Sequence, residues 1–275
     1  MYERVLLALD LEGVNKVVGV PYSGLSKQSD EWAIAVKQAV LEVNSATEAL
    51  FLAGVKKVGL WDNHGGGGNI NPADLDARIE LFTPGNEVPR MQFAKGQFDC
   101  ICYFGYHAME GTLGGVLAHT MNSREVQFYK LNGKYIGEVD IDYYIASELG
   151  LPSIFFAGGD IACKQAKRVD ENIITVETKK ELSRNQAIFR DNKELLSEIK
   201  SKITKAVFVS AKPKKLKFPV TLEKSFKRTE DAYKHFEKLN EFGVKVDFLS
   251  DDVLGKDAHT VVAIVNSIEE FIKSI

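Results

Sequence analysis

Short apolar runs alternate with longer amphipathic segments along the first two thirds of the chain. Four runs of strand length each end in glycine or in a cluster of polar residues, at 4–10, 56–62, 98–105 and 151–159. The first run, "RVLLALD", is almost continuously apolar, which is typical of a strand buried on both faces. The alternation predicts an α/β fold that has a mostly parallel sheet with helices on both faces.

Three segments have the apolar spacing of amphipathic helices. The longest is 30–52, where Asp30 is a suitable N-cap and Gly54 can follow the last turn. The other two are 139–149 and 179–204. Helices that connect strand-forming runs are typical of right-handed crossovers between parallel strands.

The pattern changes at about residue 206. Shorter runs, one of them alternating between apolar and polar residues, predict strands at 206–210, 216–226, 244–250 and 259–265. A helix that ends at Gly243 and a terminal helix accompany them. We therefore predict an α/β domain over residues 1–205 that carries the chemistry. Residues 206–275 are predicted to form a smaller α+β subdomain or an extension of the sheet.

Composition and charge narrow the classes of protein. Of the 275 residues, 45% are hydrophobic, so the chain can bury a sizeable core. The net charge of −3 argues against nucleic acid or an anionic membrane as the main partner, and no apolar run reaches membrane-spanning length. Three cysteines without the spacing of a disulfide framework, and an N-terminus without the pattern of a signal peptide, predict a cytoplasmic protein.

Acidic residues and histidines follow three of the predicted strands, at the point where each strand ends. Asp10 and Glu12 follow the first strand, Asp62 and His64 follow the second, and His107 follows the third. Ligands of open α/β sheets bind at the carboxyl ends of the strands, so we expect these side chains to converge there. Carboxylates and imidazoles without thiolates suit Zn²⁺, Mn²⁺ or Co²⁺.

Each of these residues also has an ordinary structural interpretation. Asp10 and Glu12 could be solvated loop acids, or one of them could cap a helix. The four glycines after His64 could form a flexible loop, or could let the backbone approach a metal or a substrate closely. Asp62 is expected to point away from His64 and to support the structure. The convergence of the whole set, rather than any single residue, favours a metal site.

Three further histidines and one acid lie elsewhere. His119 follows His107 in a glycine-rich stretch, where an imidazole is better placed for chemistry than for packing. Glu138 follows a turn signal and precedes a helical pattern, so it can be a first-turn acid, a metal ligand or both. His235 is expected on a helix surface and His259 at a strand edge.

Several well-known catalytic motifs are missing from the sequence. It contains no G-x-S-x-G, no H-E-x-x-H and no G-x-G-x-x-G. Catalysis by a serine on a nucleophile elbow and binding of a dinucleotide are therefore disfavoured.

Several motifs resemble one known family. The DppA-like D-aminopeptidases have, in this order and rough spacing, motifs similar to "DLEGV", "DNHGGGGN", "GYHAMEGT", "GVLAHT", "NGKYIGE" and "GLPSIFFAGGD". The later "TVETKKELSRNQA" and "PVTLEKSF" also resemble that family, so the likeness spans nearly the whole chain. One departure is close to the expected site: "DIDYY" (140–144) stands where the family commonly has "NA". This change concerns substrate preference more than metal binding.

The resemblance implies a metallopeptidase with two Zn²⁺ ions per subunit. It further implies hydrolysis of short peptides with an N-terminal D-amino acid such as D-alanine, and a homo-oligomer such as a decameric ring. The matching motifs imply His119 as the catalytic residue. They also imply a set of zinc ligands, which are Asp10, Glu12, His64, His107 and Glu138.

The chemistry leaves several roles open. Asp10 is our choice for a carboxylate that bridges two metals, since it emerges first from the central strand. His119 can be a nucleophile, as described for the family, or a general acid or base. Asp62 and Asp160 are candidates for binding the amino group of the substrate. Two alternative functions stay open: a metal-dependent amidohydrolase or deacylase that acts on a non-peptide amide, and a non-catalytic protein that binds a small ligand or a metal.

Overall fold

Strands and helices alternate along most of the chain. The computed structural model describes residues 1–83 and 89–275. The helices of this part are α1 (Asp30–Leu52), α2 (Glu138–Glu148), α3 (Asp160–Val169), α4 (Asn192–Ala206), α5 (Thr229–Glu241) and α6 (Ile268–Ser274). The strands are β1 (Arg4–Leu9), β2 (Lys57–Asp62), β3 (Ile79–Phe82), β4 (Cys100–Tyr106), β5 (Val126–Leu131), β6 (Lys134–Ile136), β7 (Ser153–Gly158), β8 (Ile174–Glu177), β9 (Lys179–Ser183), β10 (Gln186–Phe189), β11 (Val220–Phe226), β12 (Lys245–Asp251) and β13 (Gly255–Val265). Among the helices of the described ranges, none is both long and apolar enough to cross a membrane.

The central sheet is parallel throughout. Its six strands lie in the order β3-β2-β1-β4-β7-β8, and each neighbouring pair is parallel. The four strands predicted from apolar runs are β1, β2, β4 and β7, and all four belong to this sheet. The prediction of a mostly parallel α/β sheet is therefore confirmed.

Helices cover both faces of the central sheet. Along β1 the buried side chains alternate: Val5 and Leu7 pack in the core that α1 and α4 cover. Leu6 and Ala8 pack in the core that α2 and α3 cover. This alternation explains why the β1 run is continuously apolar, since each residue of the strand meets one of the two helical layers.

A second sheet is antiparallel and lies in the order β12-β13-β11-β5-β6. Three of its strands come from the C-terminal part of the chain, but β5 and β6 form a hairpin from its middle. The sheet therefore crosses the boundary predicted at residues 205 and 206. Helices α5 and α6 pack on it. The C-terminal segment thus extends a hairpin that the first part of the chain supplies.

The long helix α1 has the predicted length, with one difference at its start. Ser29 is the N-cap, because its side chain accepts a hydrogen bond from the Trp32 amide at 3.1 Å. Asp30 is instead the first residue of the helix, where its charge favours the positive end of the helix dipole. Gly54 has a φ of +100° and follows the helix end, as predicted.

Two of the predicted elements are wrong. Residues 179–189 form the antiparallel hairpin of β9 and β10 rather than the start of a helix, and α4 begins only at Asn192. On β9 the buried residues are Lys179 and Glu181, whereas Lys180 between them is exposed. Buried and exposed positions therefore alternate along β9, but the buried positions hold charged residues. A search for alternating apolar residues does not detect such a strand. The strand predicted at 206–210 is also wrong, because α4 ends there in a turn and leaves Phe208 58% exposed.

Strands β2 and β3 lie on one side of β1, whereas β4, β7 and β8 lie on the other side. The strand order therefore reverses between β1 and β4, and we call the region at the carboxyl ends of these two strands the switch point. Ligands of open α/β sheets bind at such a point. Two glycines let the segments that follow these strands approach each other. The Gly13 amide donates to the Gly105 carbonyl at 2.6 Å. A Cβ on Gly105, whose φ is +69°, would lie only 1.9 Å from the carbonyl oxygen of Asp10.

Candidate metal centre

Polar side chains from the ends of β1, β2 and β4 meet at the switch point. Asp10 and Glu12 are 4% and 6% exposed, and His107 is 4% exposed. The Nδ1 atom of His64 lies 2.9 Å from Oδ1 of Asp10 and 3.0 Å from Oε2 of Glu12. The structure therefore brings together four of the five residues that the strand-end pattern predicts, and the fifth, Asp62, binds the backbone of the following loop instead.

Two residues from outside the strand ends complete the group. Glu138 is the first residue of α2, and its Oε1 lies 3.4 Å from Nε2 of His107. His119 places Nε2 3.8 Å from the same carboxylate oxygen. Oε1 of Glu138 also accepts a hydrogen bond from the Met121 amide at 2.7 Å, which holds the carboxylate in place. We call Asp10, Glu12, His64, His107, His119 and Glu138 the site cluster.

Main-chain carbonyls orient two of the imidazoles. Nδ1 of His107 lies 2.9 Å from the carbonyl of Ala108, and Nδ1 of His119 lies 2.8 Å from the carbonyl of Leu117. A carbonyl oxygen only accepts, so the proton is assigned to Nδ1 in both rings. When the ring is neutral, the lone pair is therefore on Nε2, the atom that faces the carboxylates, which is how proteins commonly orient metal-binding histidines.

The donor atoms of the cluster fit a divalent cation. Donor atoms of Asp10, Glu12 and His107 lie within 4.8 Å of one another, and so do those of His107, His119 and Glu138. Nε2 of His107 is buried without a hydrogen-bond partner among the described residues, and Oε2 of Glu12 has only its ion-pair contact with His64. A buried polar atom without a partner is costly unless something binds it. Carboxylate and imidazole donors are the set that Zn²⁺ accepts.

The carboxylates and imidazoles shift one another's pKa values strongly. Burial, reinforced by the neighbouring Glu12, raises the pKa of Asp10 to about 7. Burial disfavours the charged form of His64, but Glu12 and Asp10 outweigh it and raise the pKa of His64 to about 11. Against burial, Glu138 likewise raises the pKa of His107 to about 10, and His107 lowers that of Glu138 to about 2. The buried carboxylates thus favour positive charge, which protons or a divalent cation can supply.

A cavity of about 510 Å³ opens above the site cluster. The loop that follows β2, the glycines after His64 and the segment around Met121 form its walls. Basic side chains also line it, namely Lys27, Arg90, Arg124 and Arg184. The cavity therefore combines an acidic floor with basic groups on its walls.

The sequence did not indicate a buried polar network beside the cluster. Arg90 donates to both oxygens of Asp142, and its Nη1 donates to Oδ1 of Asn63 at 3.0 Å. The Tyr106 hydroxyl donates to Asp142 at 2.6 Å. Asp142 lies in the "DIDYY" segment, one helical turn after Glu138, so its spacing could have pointed to the same face of α2. Nothing in the spacing of Arg90 indicates this contact.

The carboxylates of the two acids proposed for the amino group bind groups outside the site cluster. Asp62 is 1% exposed, and it accepts hydrogen bonds from the amides of Asn69 and Ile70. As expected, it supports the loop that carries His64. Asp160 is the first residue of α3 and accepts from Lys164 and from the Glu181 amide. Neither is among the residues that line the cavity above the cluster.

The other two histidines belong to the second sheet and to the helix α5 that packs on it. His235 on α5 is half-buried, with its ring 5.3 Å from that of Phe226. His259 lies on β13, an inner strand of that sheet rather than an edge strand. Its Nδ1 lies 3.0 Å from the carbonyl of Phe226.

Comparisons with known proteins point to one family. The sequence profile of a family described as D-aminopeptidase matches residues 4–259. A curated relative, a D-aminopeptidase of Bacillus subtilis (strain 168), is 25% identical over 185 residues, which are 66% of this chain and 65% of the relative. The match thus spans slightly less than two thirds of that protein's length.

The fold of this chain is also similar to that of a solved structure. That structure is described as the Zn-dependent D-aminopeptidase DppA from Bacillus subtilis, a self-compartmentalizing protease. The TM-score is 0.84 at 21% identity, and the match covers 98% of this chain and 94% of the other. At this identity the likeness shows a shared fold.

Proposed function

Because this chain belongs to the D-aminopeptidase family, we propose that it is a zinc-dependent aminopeptidase that removes an N-terminal D-amino acid, such as D-alanine, from short peptides. One observation carries the proposal. Three buried carboxylates and three imidazoles converge beneath an open cavity, and the buried Nε2 of His107 has no hydrogen-bond partner within the described residues.

We assign two zinc ions to five residues of the site cluster. Asp10 would help to hold both ions, because its Oδ1 lies 2.9 Å from His64 and its Oδ2 lies 3.4 Å from His107. When bound, the zinc ions would lower the pKa of a water to about 7 and polarise the scissile carbonyl. Mn²⁺ and Co²⁺ suit the same kinds of donor. The proposed ligands are Asp10, Glu12, His64, His107 and Glu138.

Proton transfer is assigned to Nε2 of His119. Since Nδ1 donates to the Leu117 carbonyl, Nε2 is the nitrogen that can accept a proton from the attacking group and return it to the leaving amine. His119 lines the cavity with its side chain 14% exposed, so substrate can reach it. An acyl group found on this imidazole by mass spectrometry would assign it the role of nucleophile instead.

The cavity supports a short peptide as substrate. Its volume of about 510 Å³ lies within the range of sites for small ligands, about 300–1,000 Å³. The acidic floor favours the free α-ammonium group of a peptide. The basic walls, which include Arg124 and Arg184, favour the carboxylate at its other end. Asp62 and Asp160 take no part in this assignment, because backbone amides already occupy their carboxylates.

We also propose a homo-oligomer, with a ring of ten copies as its form, in the cytoplasm. The similar solved structure is described as self-compartmentalizing. Large apolar side chains at the surface are compatible with contacts between copies, with Leu113 97% and Val253 91% exposed. All three cysteines are buried and free, which suits a reducing compartment. Native mass spectrometry would give the number of copies.

Metal analysis combined with a substrate panel tests the proposed function. The panel contains dipeptides with N-terminal D-alanine, their L counterparts and acylated amines. We expect about two zinc ions per chain and faster hydrolysis of the D-peptides. Activity should be lost on treatment with a chelator and should return when zinc is added.

Two outcomes would contradict the proposal. Zinc-dependent hydrolysis of the acylated amines alone would favour the amidohydrolase or deacylase. Stoichiometric binding of zinc or of peptides without turnover would favour a non-catalytic binding protein.

A further inference from the structure

The buried side chain of Lys179 holds the backbone of the segment that carries Glu12. We call residues 11–18, which follow β1, the Glu12 loop. Nζ of Lys179 donates to the carbonyl oxygens of Glu12, Val14 and Val17 at 2.5, 3.1 and 2.6 Å. An ammonium group has three donors, and here all three bind carbonyls of one loop.

Neighbouring side chains bind further carbonyls of the same loop. The Thr178 hydroxyl donates to the Gly13 carbonyl at 2.6 Å, and Nδ2 of Asn185 donates to the Val18 carbonyl at 2.8 Å. The segment from 178 to 185 thus satisfies five carbonyls of a loop that belongs to neither a helix nor a strand. Without these donors the carbonyls would face the protein interior unpaired.

The burial of Lys179 sets it apart from a surface lysine. It is 1% exposed, whereas Lys180, the next residue on β9, is exposed. Its hydrogen bonds within the described residues go to backbone carbonyls and not to a carboxylate. A buried ammonium group is retained only where such contacts compensate for its lost hydration.

The carboxylate of Glu12 depends on its backbone for its position. The only ion pair of this carboxylate among the described residues is with His64, whose Nδ1 lies 3.0 Å from Oε2, so no side chain outside the site cluster holds it. The carbonyl of Glu12 itself accepts from Lys179. A shift of the ammonium group would therefore move the residue that carries the proposed ligand.

We propose that Lys179, assisted by Thr178, is a positioning residue that sets where the Glu12 carboxylate lies and thereby sets the zinc affinity of the site. This inference rests on the proposed function in one respect, namely that Glu12 is a zinc ligand. Lys179 does not touch the cavity, so it acts only through the Glu12 loop.

The variant Lys179→Met tests the proposal, since methionine keeps much of the volume and removes the three donors. Lys180→Met is the matched control, because it makes the same change on the exposed face of the same strand. Zinc affinity is measured by competition with a chelator on protein shown to be folded by circular dichroism. We expect Lys179→Met to weaken zinc binding about 10–100-fold, as removal of supporting groups around metal ligands does, and Lys180→Met to leave it unchanged.

A spectroscopic measurement separates positioning from a loss of stability. With Co²⁺ in place of zinc, the visible absorption bands report the ligand geometry of the folded site. We expect Lys179→Met to change these bands and Lys180→Met to keep those of the natural protein. Zinc affinity and Co²⁺ bands that are the same in all three proteins would overturn the proposal.

A second variant decides the matter if Lys179→Met does not fold. Thr178→Val removes only the donor to the Gly13 carbonyl and should weaken zinc binding several-fold, whereas unchanged affinity would overturn the proposal.

The metal measurements also separate this inference from the peptidase assignment. Natural protein that binds zinc but cleaves no peptide would contradict the proposed function alone. Natural protein that binds no zinc would contradict both.

Discussion

The imidazole rings of His107 and His119 are stacked, with their centroids 3.9 Å apart and their planes at 11°. Both rings use Nδ1 for a main-chain carbonyl, so both present Nε2 to the carboxylates. Two positive charges in such contact repel each other. Burial, together with the charge of His107, accordingly lowers the pKa of His119. Of the pair, His119 is the imidazole suited to accept a proton at neutral pH.

The first prediction concerns His119→Ala. We expect the variant to keep its zinc and to lose about 10²-fold or more in kcat, which is the usual contribution of a general acid or base. Zinc content by mass spectrometry and steady-state kinetics with a D-alanyl dipeptide would measure the two effects. His235→Ala, a change on α5 at a residue that does not line the cavity, is the control.

A loss of zinc in His119→Ala would assign a different role. Because donor atoms of His119 also lie within reach of those of His107 and Glu138, the residue would then belong to the ligand set. Unchanged turnover would contradict any catalytic role.

The second prediction concerns Gly105, which lies near the end of β4, beside Asp10. Gly105→Ala places a Cβ 1.9 Å from the Asp10 carbonyl oxygen, so the segment that carries Asp10 must move. Gly133→Ala is the control, since Gly133 also has a positive φ (+76°) but a Cβ added there would meet no atom within 4 Å. Both variants incur about 1–2 kcal/mol of backbone strain.

Only Gly105→Ala should also lose zinc affinity, because only that change displaces a proposed ligand. Denaturant unfolding and chelator competition would measure the two properties. If the two variants lost equal stability and equal zinc affinity, the close approach of Gly105 to the Asp10 carbonyl would not be the cause of the lost zinc affinity.

The third prediction concerns the buried pair of Arg90 and Asp142. Asp142 has no exposed side-chain surface, and Arg90 binds both of its oxygens. Arg90→Met leaves the carboxylate buried without its partner, and we expect a loss of about 3–5 kcal/mol in the free energy of unfolding. The exposed pair of Arg78 and Asp76 is the control, since Arg78→Met should cost about 1 kcal/mol or less.

A double variant tests the cause of that loss. Adding Asp142→Asn to Arg90→Met removes the unpaired charge, so part of the lost stability should return. No recovery in urea unfolding would indicate that Arg90 acts through its packing on Trp61, over which its guanidinium lies at 5.0 Å.

The fourth prediction concerns the pH dependence of stability at Glu42. Burial raises the pKa of this carboxyl to about 7, and its Oε2 has no partner among the described residues. The folded protein therefore holds the proton more tightly than the unfolded chain. This stabilisation is fully present below the unfolded value of about 4.3 and is lost as the pH rises through about 7.

Glu42→Gln cannot lose a proton, so it should gain stability relative to the natural protein as the pH rises from 4 to 8. The gain is about 1.4 kcal/mol for each pKa unit between the folded and unfolded states. Denaturant unfolding of both proteins at several pH values would measure it. A difference that does not change with pH would show that Glu42 is ionised in the fold across this range.

Local patterns in the sequence determined the centre of the fold and four residues of the site cluster. The apolar runs of β1, β2 and β4 each end where a buried strand must meet polar surface, and parallel strands bring these ends together. Asp10, Glu12, His64 and His107 could therefore be placed from the sequence alone. His119 and Glu138 were candidates from their local sequence, but only the resemblance of their motifs to a family assigned them to the same site, because their spacing does not predict where they lie in the fold.

Tertiary structure alone decided the contacts between distant segments. Arg90 and Asp142 are 52 residues apart, β5 and β6 join strands from the C-terminal segment, and Lys179 turns a charged side chain inward to the Glu12 loop. Apolar periodicity reports which face of an element is buried, because that burial is local to the element. The pairing of buried polar groups depends on the packing of the whole chain. Local spacing in the sequence therefore does not predict it.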